Sequence, residues 1–263
     1  MSQGAATEWD AASYHRVSGP QTAWGRRVLS RLSVRGDERV IDAGCGTGRL
    51  TRELMQMLPE GRLIAIDRSW NMLLTARANL RPDFGARISY VRVALPMMPF
   101  TGCADLVFST ATFHWVRDHT TLFAEILRSL RPGGRLFAQC GGGPNLAGAH
   151  RLAEAVMREG PFAEHFRDWS GVWEFSTAEL AAARLHGAGF TDVATNLEAA
   201  PTTLADEASY REFVTTVIYN PHLERLPGEL RARFIDEITQ RAAAQDPPFT
   251  LDYWRLNLEG RRP

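Results

Sequence analysis

The stretch that most constrains this chain is Val40-Ile41-Asp42-Ala43-Gly44-Cys45-Gly46-Thr47-Gly48-Arg49-Leu50. An apolar run enters three alternating glycines, and helical spacing follows from Leu50 to Leu58. This reads as a buried strand, a tight turn and a helix. Glycine lets the backbone reverse sharply and lets a ligand reach the main chain. The helix start behind the turn leaves N–H groups free. A second strand, Arg62 to Asp67, ends in a carboxylate nineteen residues beyond Gly48. A carboxylate there accepts hydrogen bonds from ribose hydroxyls.

The glycine spacing selects among nucleotides. A dinucleotide turn reads G-x-G-x-x-G. Gly44 and Gly46 fill its first two places, but the third glycine comes one residue early and Arg49 takes its position. That spacing suits a nucleoside without a pyrophosphate better than a nicotinamide dinucleotide.

The surrounding pattern predicts a parallel sheet with helices on both faces. Residues 21–34 have helical spacing. Asn71 to Leu80 reads as a helix that stops before Pro82. Ile88–Val93, Ala104–Ser109 and Arg135–Cys140 read as strands, with a helix from Leu122 to Leu130. After Gly141-Gly142-Gly143-Pro144 the rhythm changes. A helix at Thr177–Gly187, with Ser176 as its cap, precedes a strand at Phe190–Leu197. Helices over 206–219 and 228–244 flank Asn220-Pro221, and Leu251–Leu258 reads as the last strand.

Composition removes several chemistries. The chain carries 30 basic and 30 acidic side chains, and every basic one is Arg. Without lysine there is no Schiff base, no pyridoxal phosphate anchor and no P-loop lysine. Zero net charge, with no basic groove interleaved with aromatics, argues against nucleic acid as a partner. Cys45, Cys103 and Cys140 form neither a disulfide framework nor a zinc pattern, so a cytoplasmic setting and no metal are expected. There is no signal-type apolar region and no apolar run of about 18 residues, so no membrane partner is expected. Nothing in the sequence sets an oligomeric state.

Val40 to Gly48 resembles the first motif of the class I S-adenosylmethionine-dependent methyltransferases. Met97-Met98-Pro99-Phe100, Phe113-His114-Trp115-Val116 and Leu130-Arg131-Pro132-Gly133-Gly134 resemble later signatures of small-molecule members. Trp9-Asp10, Tyr14 and the stretch from Tyr210 through Leu251 resemble the trans-aconitate methyltransferase-like group. The resemblance implies a three-layer α/β sandwich, Rossmann-like, with a seven-stranded, mostly parallel sheet, an antiparallel last strand and helical cap insertions. Residues 1–20 would be an N-terminal flap. Residues 21–145, 177–204 and 249–263 would form the core, and 146–176 and 205–248 the caps.

The same resemblance implies S-adenosylmethionine as cofactor. Gly44, Cys45 and Gly46 would hold its methionine part, with Asp42 assisting through the turn. Asp67 would hold the ribose, and Arg68 and Met72 would flank the adenine. Thr110 would lie near the methionine amino group, and Tyr14 and Gln21 would close over the cofactor. Many relatives carry Asp at the end of the third strand. Here Ala94 stands there, followed by Leu95, so adenine would rest on backbone and apolar contact.

The implied reaction is methyl transfer to a small-molecule acceptor, with a carboxylate as one candidate. His114 is the candidate base, because a near-neutral imidazole suits that work; packing at the pocket wall is its other reading. Trp115, Trp173, Tyr210 and Arg211 are candidate substrate contacts, with Trp169 and Tyr219 behind them. His119 reads as a surface residue. Two other functions stay open at this level: a non-catalytic binder of the same cofactor, and a nicotinamide-dependent oxidoreductase.

Overall fold

The computed structural model describes residues 8–263, apart from the side chain of Ala12. Seven strands form one sheet: β1 Arg39–Ala43, β2 Arg62–Asp67, β3 Ile88–Arg92, β4 Ala104–Thr110, β5 Leu130–Gly141, β6 Thr191–Ala199 and β7 Trp254–Arg261. Their order is β3-β2-β1-β4-β5-β7-β6. Strands β1 to β5 pair in parallel, and β7 runs antiparallel to both β5 and β6. Order reverses between β1 and β4, and ligands bind in the crevice outside the strand ends at such a reversal.

Before the sheet come α1 (Ala11–Val17) and α2 (Gly19–Arg31). Next to it lie α3 (Arg49–Gln56), α4 (Trp70–Phe84) and α5 (His119–Ser129). Then follow α6 (Ala147–Met157), α7 (Ala178–Ala188), α8 (Glu207–Phe213), α9 (Asn220–Arg225) and α10 (Gly228–Ala243). One buried apolar cluster joins Val28, Val40, Leu54, Leu63 and Phe108. A second joins Ile41, Ile66, Phe113, Ile126 and Leu185. A third, built by α6 and α8–α10 with Trp24 and Tyr253, forms a separate helical core beyond the carboxyl edge of the sheet. Among the described residues no helix is long and apolar enough to cross a membrane.

Several boundaries differ from the sequence reading. Helix α4 runs through Pro82 to Phe84. Proline in the last turn removes a single hydrogen bond near a helix end, and Arg52 takes the neighbouring Asn79 carbonyl. Thr177, not Ser176, caps α7 by accepting from the Leu180 N–H. The last strand begins at Trp254, because Thr250–Leu251 pairs instead with Thr202–Thr203. The helix expected over 206–219 breaks after Phe213 and rewinds as a π-helix over Val214–Ile218.

Candidate active site at the carboxyl edge of the sheet

The glycine turn after β1 is held by its neighbours. The Gly44 and Cys45 N–H groups donate to the Ile66 carbonyl at 2.8 and 3.0 Å. The Gly46 N–H donates to Asp67 Oδ2 at 3.0 Å. A Cβ at Gly44 would stand 2.0 Å from the Thr112 hydroxyl oxygen, so the β1 and β4 turns approach too closely for any side chain. At Gly46 nothing lies within 4 Å of that position, and φ is +55°. Gly44 is required by the protein's own packing, whereas Gly46 leaves open space.

That space is part of a cleft of about 1200 Å³, counting its open mouth. Gly44, Gly46 and Thr110 line one side of it, and Ile66, Asp67, Arg68, Met72 and Leu95 line another. Asp67 Oδ1 accepts from the Ser69 N–H at 2.9 Å. Burial pushes the Asp67 carboxyl up, and the N–H groups of Ser69 and Gly46 pull against that shift.

Residues from the N-terminal segment form a roof. Tyr14, Gln21 and Trp9 line the cleft. The Trp9 ring meets Tyr14 at 5.6 Å and Trp115 at 5.5 Å, both edge-on. The segment is tied to both halves of the molecule. Glu8 accepts from the Ser69 hydroxyl at 2.9 Å and pairs with Arg92 at 3.2 Å. Arg16 pairs with Glu212 at 2.6 Å, and Arg49 donates to the His15 carbonyl at 2.6 Å. Residues 1–7 of the expected flap lie outside the described residues.

The roof continues as an aromatic wall. Trp115 meets Trp173 at 5.7 Å, and Trp173 stacks on Phe175 at 6.3 Å. Val217 and Ile218 reach the cleft from the π-helical turn. Such turns re-aim side chains within a helix and recur at functional sites.

His114 also lines the cleft. Its Nδ1 accepts the Gly141 N–H at 3.2 Å. A backbone N–H only donates, so Nδ1 carries no proton and the neutral ring holds its proton on Nε2. Nε2 has no protein partner among the described residues. Burial first, then the Arg255 charge, drives the His114 pKa well below the ordinary value. At neutral pH the imidazole therefore offers an N–H to the cleft and no free basic nitrogen. In this arrangement the expected base at His114 faces the cleft as a hydrogen-bond donor.

Arg255, Tyr253 and Asn145 complete the wall, and sequence reasoning missed all three. Arg255 is 3% exposed. Its guanidinium lies 4.6 Å over the Trp24 ring, and its Nε has no hydrogen-bond partner. Gln21 Oε1 and the Tyr253 hydroxyl are likewise buried without partners. Burial raises Tyr14 to about 12 and pushes Tyr253 up as well, so both phenols keep their protons at neutral pH.

Other expected site residues fall elsewhere. Asp42 lies beneath the turn, where it accepts from the Thr51 hydroxyl at 2.6 Å. Cys45 packs against the cluster of Val28, Val40 and Phe108 with its thiol against the Gly46 carbonyl, and it does not line the cleft. Ala94 is exposed, while its neighbours Val93 and Leu95 face inward, as alternation in extended chain requires. Tyr210 and Tyr219 are buried in the helical core, Tyr219 donating to the Ala149 carbonyl at 2.9 Å. Arg211 pairs with Asp236 near the surface. Trp169 packs beside that core and takes Arg225 over its ring. His119 is buried, with Nε2 on the Phe113 carbonyl at 3.0 Å and Nδ1 at the Ser176 hydroxyl, 3.2 Å away.

The fold and the cleft together define a nucleoside-binding α/β enzyme of the methyltransferase type. A methyltransferase-domain family model matches residues 41–138. The chain is 31% identical over 272 residues to the trans-aconitate 2-methyltransferase of Methylobacterium nodulans, covering 97% of this chain and 98% of that one. It is 29% identical over 244 residues to the Deinococcus radiodurans protein of the same name, covering 91% and 92%. The Haemonchus contortus phosphoethanolamine N-methyltransferase 2, solved with S-adenosyl-L-methionine, shares the fold at a TM-score of 0.62 and 17% identity, over 96% of this chain and 56% of that one. The chain belongs to the class I S-adenosylmethionine-dependent methyltransferases, in the family of the trans-aconitate 2-methyltransferases. It is accordingly an enzyme that uses S-adenosylmethionine to methylate a small-molecule acceptor, and the non-catalytic and nicotinamide readings fall away.

Proposed function

We propose that this enzyme methylates a carboxylate oxygen of a small unsaturated polycarboxylate of the trans-aconitate type. The observation that carries this reading is the Gly141 N–H placed 3.2 Å from His114 Nδ1. With Nδ1 occupied by the Gly141 N–H, the cleft presents an imidazole N–H and protonated phenols. A phenol or carbon acid must lose a proton to react, and among the described lining residues the one carboxylate, Asp67, is assigned to the ribose. A carboxylate is already ionised at neutral pH. The names of the relatives point to the same acceptor.

The residues fit the cofactor. Gly46 leaves room where a side chain would stand, Asp67 keeps a carboxylate in the cleft, and Ile66, Met72, Val93 and Leu95 make an apolar slot. Asp67 would take the ribose hydroxyls, Arg68, Met72 and Leu95 the adenine, and the backbone of Gly44, Gly46 and Thr110 the methionine part. When bound, the cofactor supplies a methyl group on a sulfonium; the acceptor oxygen forms the new C–O bond as the C–S bond breaks, leaving a methyl ester and S-adenosylhomocysteine, with no proton moved. The protein's share is alignment and exclusion of water. Orientation of this kind contributes about 7–11 kcal/mol in well-aligned systems. Trp9, Trp115, Trp173 and Phe175 exclude water, and the His114 N–H orients the reacting carboxylate. We read residues 8–20 as the flap and 146–176 with 205–248 as the cap. The three cysteines are unpaired, which supports a reducing compartment.

The test is product analysis by mass spectrometry with trans-aconitate, a monocarboxylate and a phenol as acceptors. A monomethyl ester of trans-aconitate is expected, with a rate that is flat from about pH 6 upward. Methylation of the phenol alone, at a rate climbing with pH, would overturn the reading.

A further inference from the structure

Arg255 is a buried cation that forms no ion pair among the described residues. Among the described residues no carboxylate lies within ion-pair distance of it. Its cross-strand neighbour Glu198 turns instead to Arg27, at 3.4 Å. Trp24 covers one face of the guanidinium, and its buried Nε has no hydrogen-bond partner. Two more unpartnered polar groups, the Tyr253 hydroxyl and Gln21 Oε1, line the same cleft. Turning the Gln21 amide over presents its NH2 in place of its oxygen. Buried polar groups are otherwise almost always paired, so a cluster of orphans in one cleft calls for a ligand.

Its position relative to His114 gives that ligand a shape. Arg255 pairs across the sheet with Gly141, and the Gly141 N–H is the group that holds His114. Paired residues on antiparallel strands have Cα atoms about 4.5–5.5 Å apart. The His114 N–H and the Arg255 fork therefore flank the end of β5 as neighbours. The spacing suits two carboxylates carried on one small carbon skeleton.

We propose that Arg255, with Tyr253 and Gln21, anchors a second, non-reacting carboxylate of the acceptor, so that the enzyme selects substrates with at least two carboxylates. The inference rests on the carboxylate reading above. A guanidinium suits this task because its planar fork holds a carboxylate at two points. The reacting carboxylate stays at His114, and the anchor fixes which carboxylate that is.

The experiment compares wild type with Arg255→Met and Arg255→Lys. Calorimetry on protein loaded with S-adenosylhomocysteine measures binding of propane-1,2,3-tricarboxylate, which reports on the anchor whether or not a methyl group is transferred. Wild type should bind it, Arg255→Met should bind at least a hundredfold more weakly, and Arg255→Lys should fall between. Affinity for S-adenosylhomocysteine itself should stay within threefold. In turnover, KM for trans-aconitate should rise as strongly, while a monocarboxylate is used equally poorly by all three proteins. The melting temperature of Arg255→Met should hold or rise, since it removes an unpaired buried charge. A tenfold loss of S-adenosylhomocysteine affinity would place Arg255 on the cofactor and overturn the proposal. Unchanged tricarboxylate binding, or none in wild type, would also overturn it. Absence of any carboxylate ester from wild type, with tricarboxylate binding intact and sensitive to Arg255, would instead defeat the proposed reaction alone.

Discussion

Replacing Asp42 with Asn tests the physics of the glycine turn. Asp42 is 3% exposed. Burial pushes its carboxyl up to about 7; the Thr51 hydroxyl lowers it and the Asp67 charge raises it further. In the unfolded chain an aspartate ionises near 3.9. Between those values the folded protein holds a proton that the unfolded chain has lost, so stability falls as pH rises through this window and levels off above it. A shift of about 3 units at about 1.4 kcal/mol each makes the full loss about 4 kcal/mol. Asn does not titrate, and its side-chain oxygen can still accept from Thr51. Asp42→Asn should match wild type near pH 4 and exceed it by about 2–4 kcal/mol above pH 7. Urea unfolding at four or five pH values measures this difference. Buried histidines give slopes of the opposite sign, but both proteins share them and they cancel in the comparison. A variant less stable than wild type at pH 8, or a difference that does not change with pH, would refute the argument.

Asp67→Ala removes the carboxylate assigned to the ribose; two charge-assisted hydrogen bonds at about 1.5–3 kcal/mol each predict at least a hundredfold loss of S-adenosylhomocysteine affinity by calorimetry. Gly44→Ala drives a Cβ onto Thr112 at φ +85°, and a loss of about 2–4 kcal/mol in denaturant unfolding is expected. Adding Thr112→Ala should recover the steric part and leave the backbone strain. His222 sits among Phe166, Trp169, Trp173 and Phe234, and burial lowers it to about 3. Below pH 6.5 the unfolded chain gains a proton that the folded one refuses until about pH 3, so wild type loses stability on acidification. His222→Phe should gain about 2 kcal/mol at pH 5 relative to its effect at pH 8, read by thermal melts.

What the sequence reveals here depends on how far apart the cooperating residues lie. The cofactor half is local. Gly44, Gly46 and Asp67 belong to one strand–turn–helix–strand run, with Met72 on the next helix, and the turn's own hydrogen bonds join the glycines to the end of β2. Spacing therefore marks Gly44, Gly46 and Asp67 as one cluster, and the family resemblance adds Met72. The proposed acceptor half is assembled from distant segments: Trp9 and Gln21 come from before β1, Trp173 and Phe175 from the link ahead of α7, and Tyr253 and Arg255 from the last strand. No local pattern marks these as neighbours, because the antiparallel return of β7 beside β5 makes them so. Tyr210 and Arg211 fail for a related reason. Both stand on an amphipathic helix whose direction the sequence leaves open, and the helical core claims Tyr210 while solvent and Asp236 claim Arg211. One sign of Arg255 does lie in the sequence: an arginine set between Trp254 and Leu256 at the start of the final strand. A charge that a sheet must bury there costs several kcal/mol unless something pairs with it. No group among the described residues forms an ion pair with it, and that uncompensated burial is the observation on which the proposed carboxylate anchor rests.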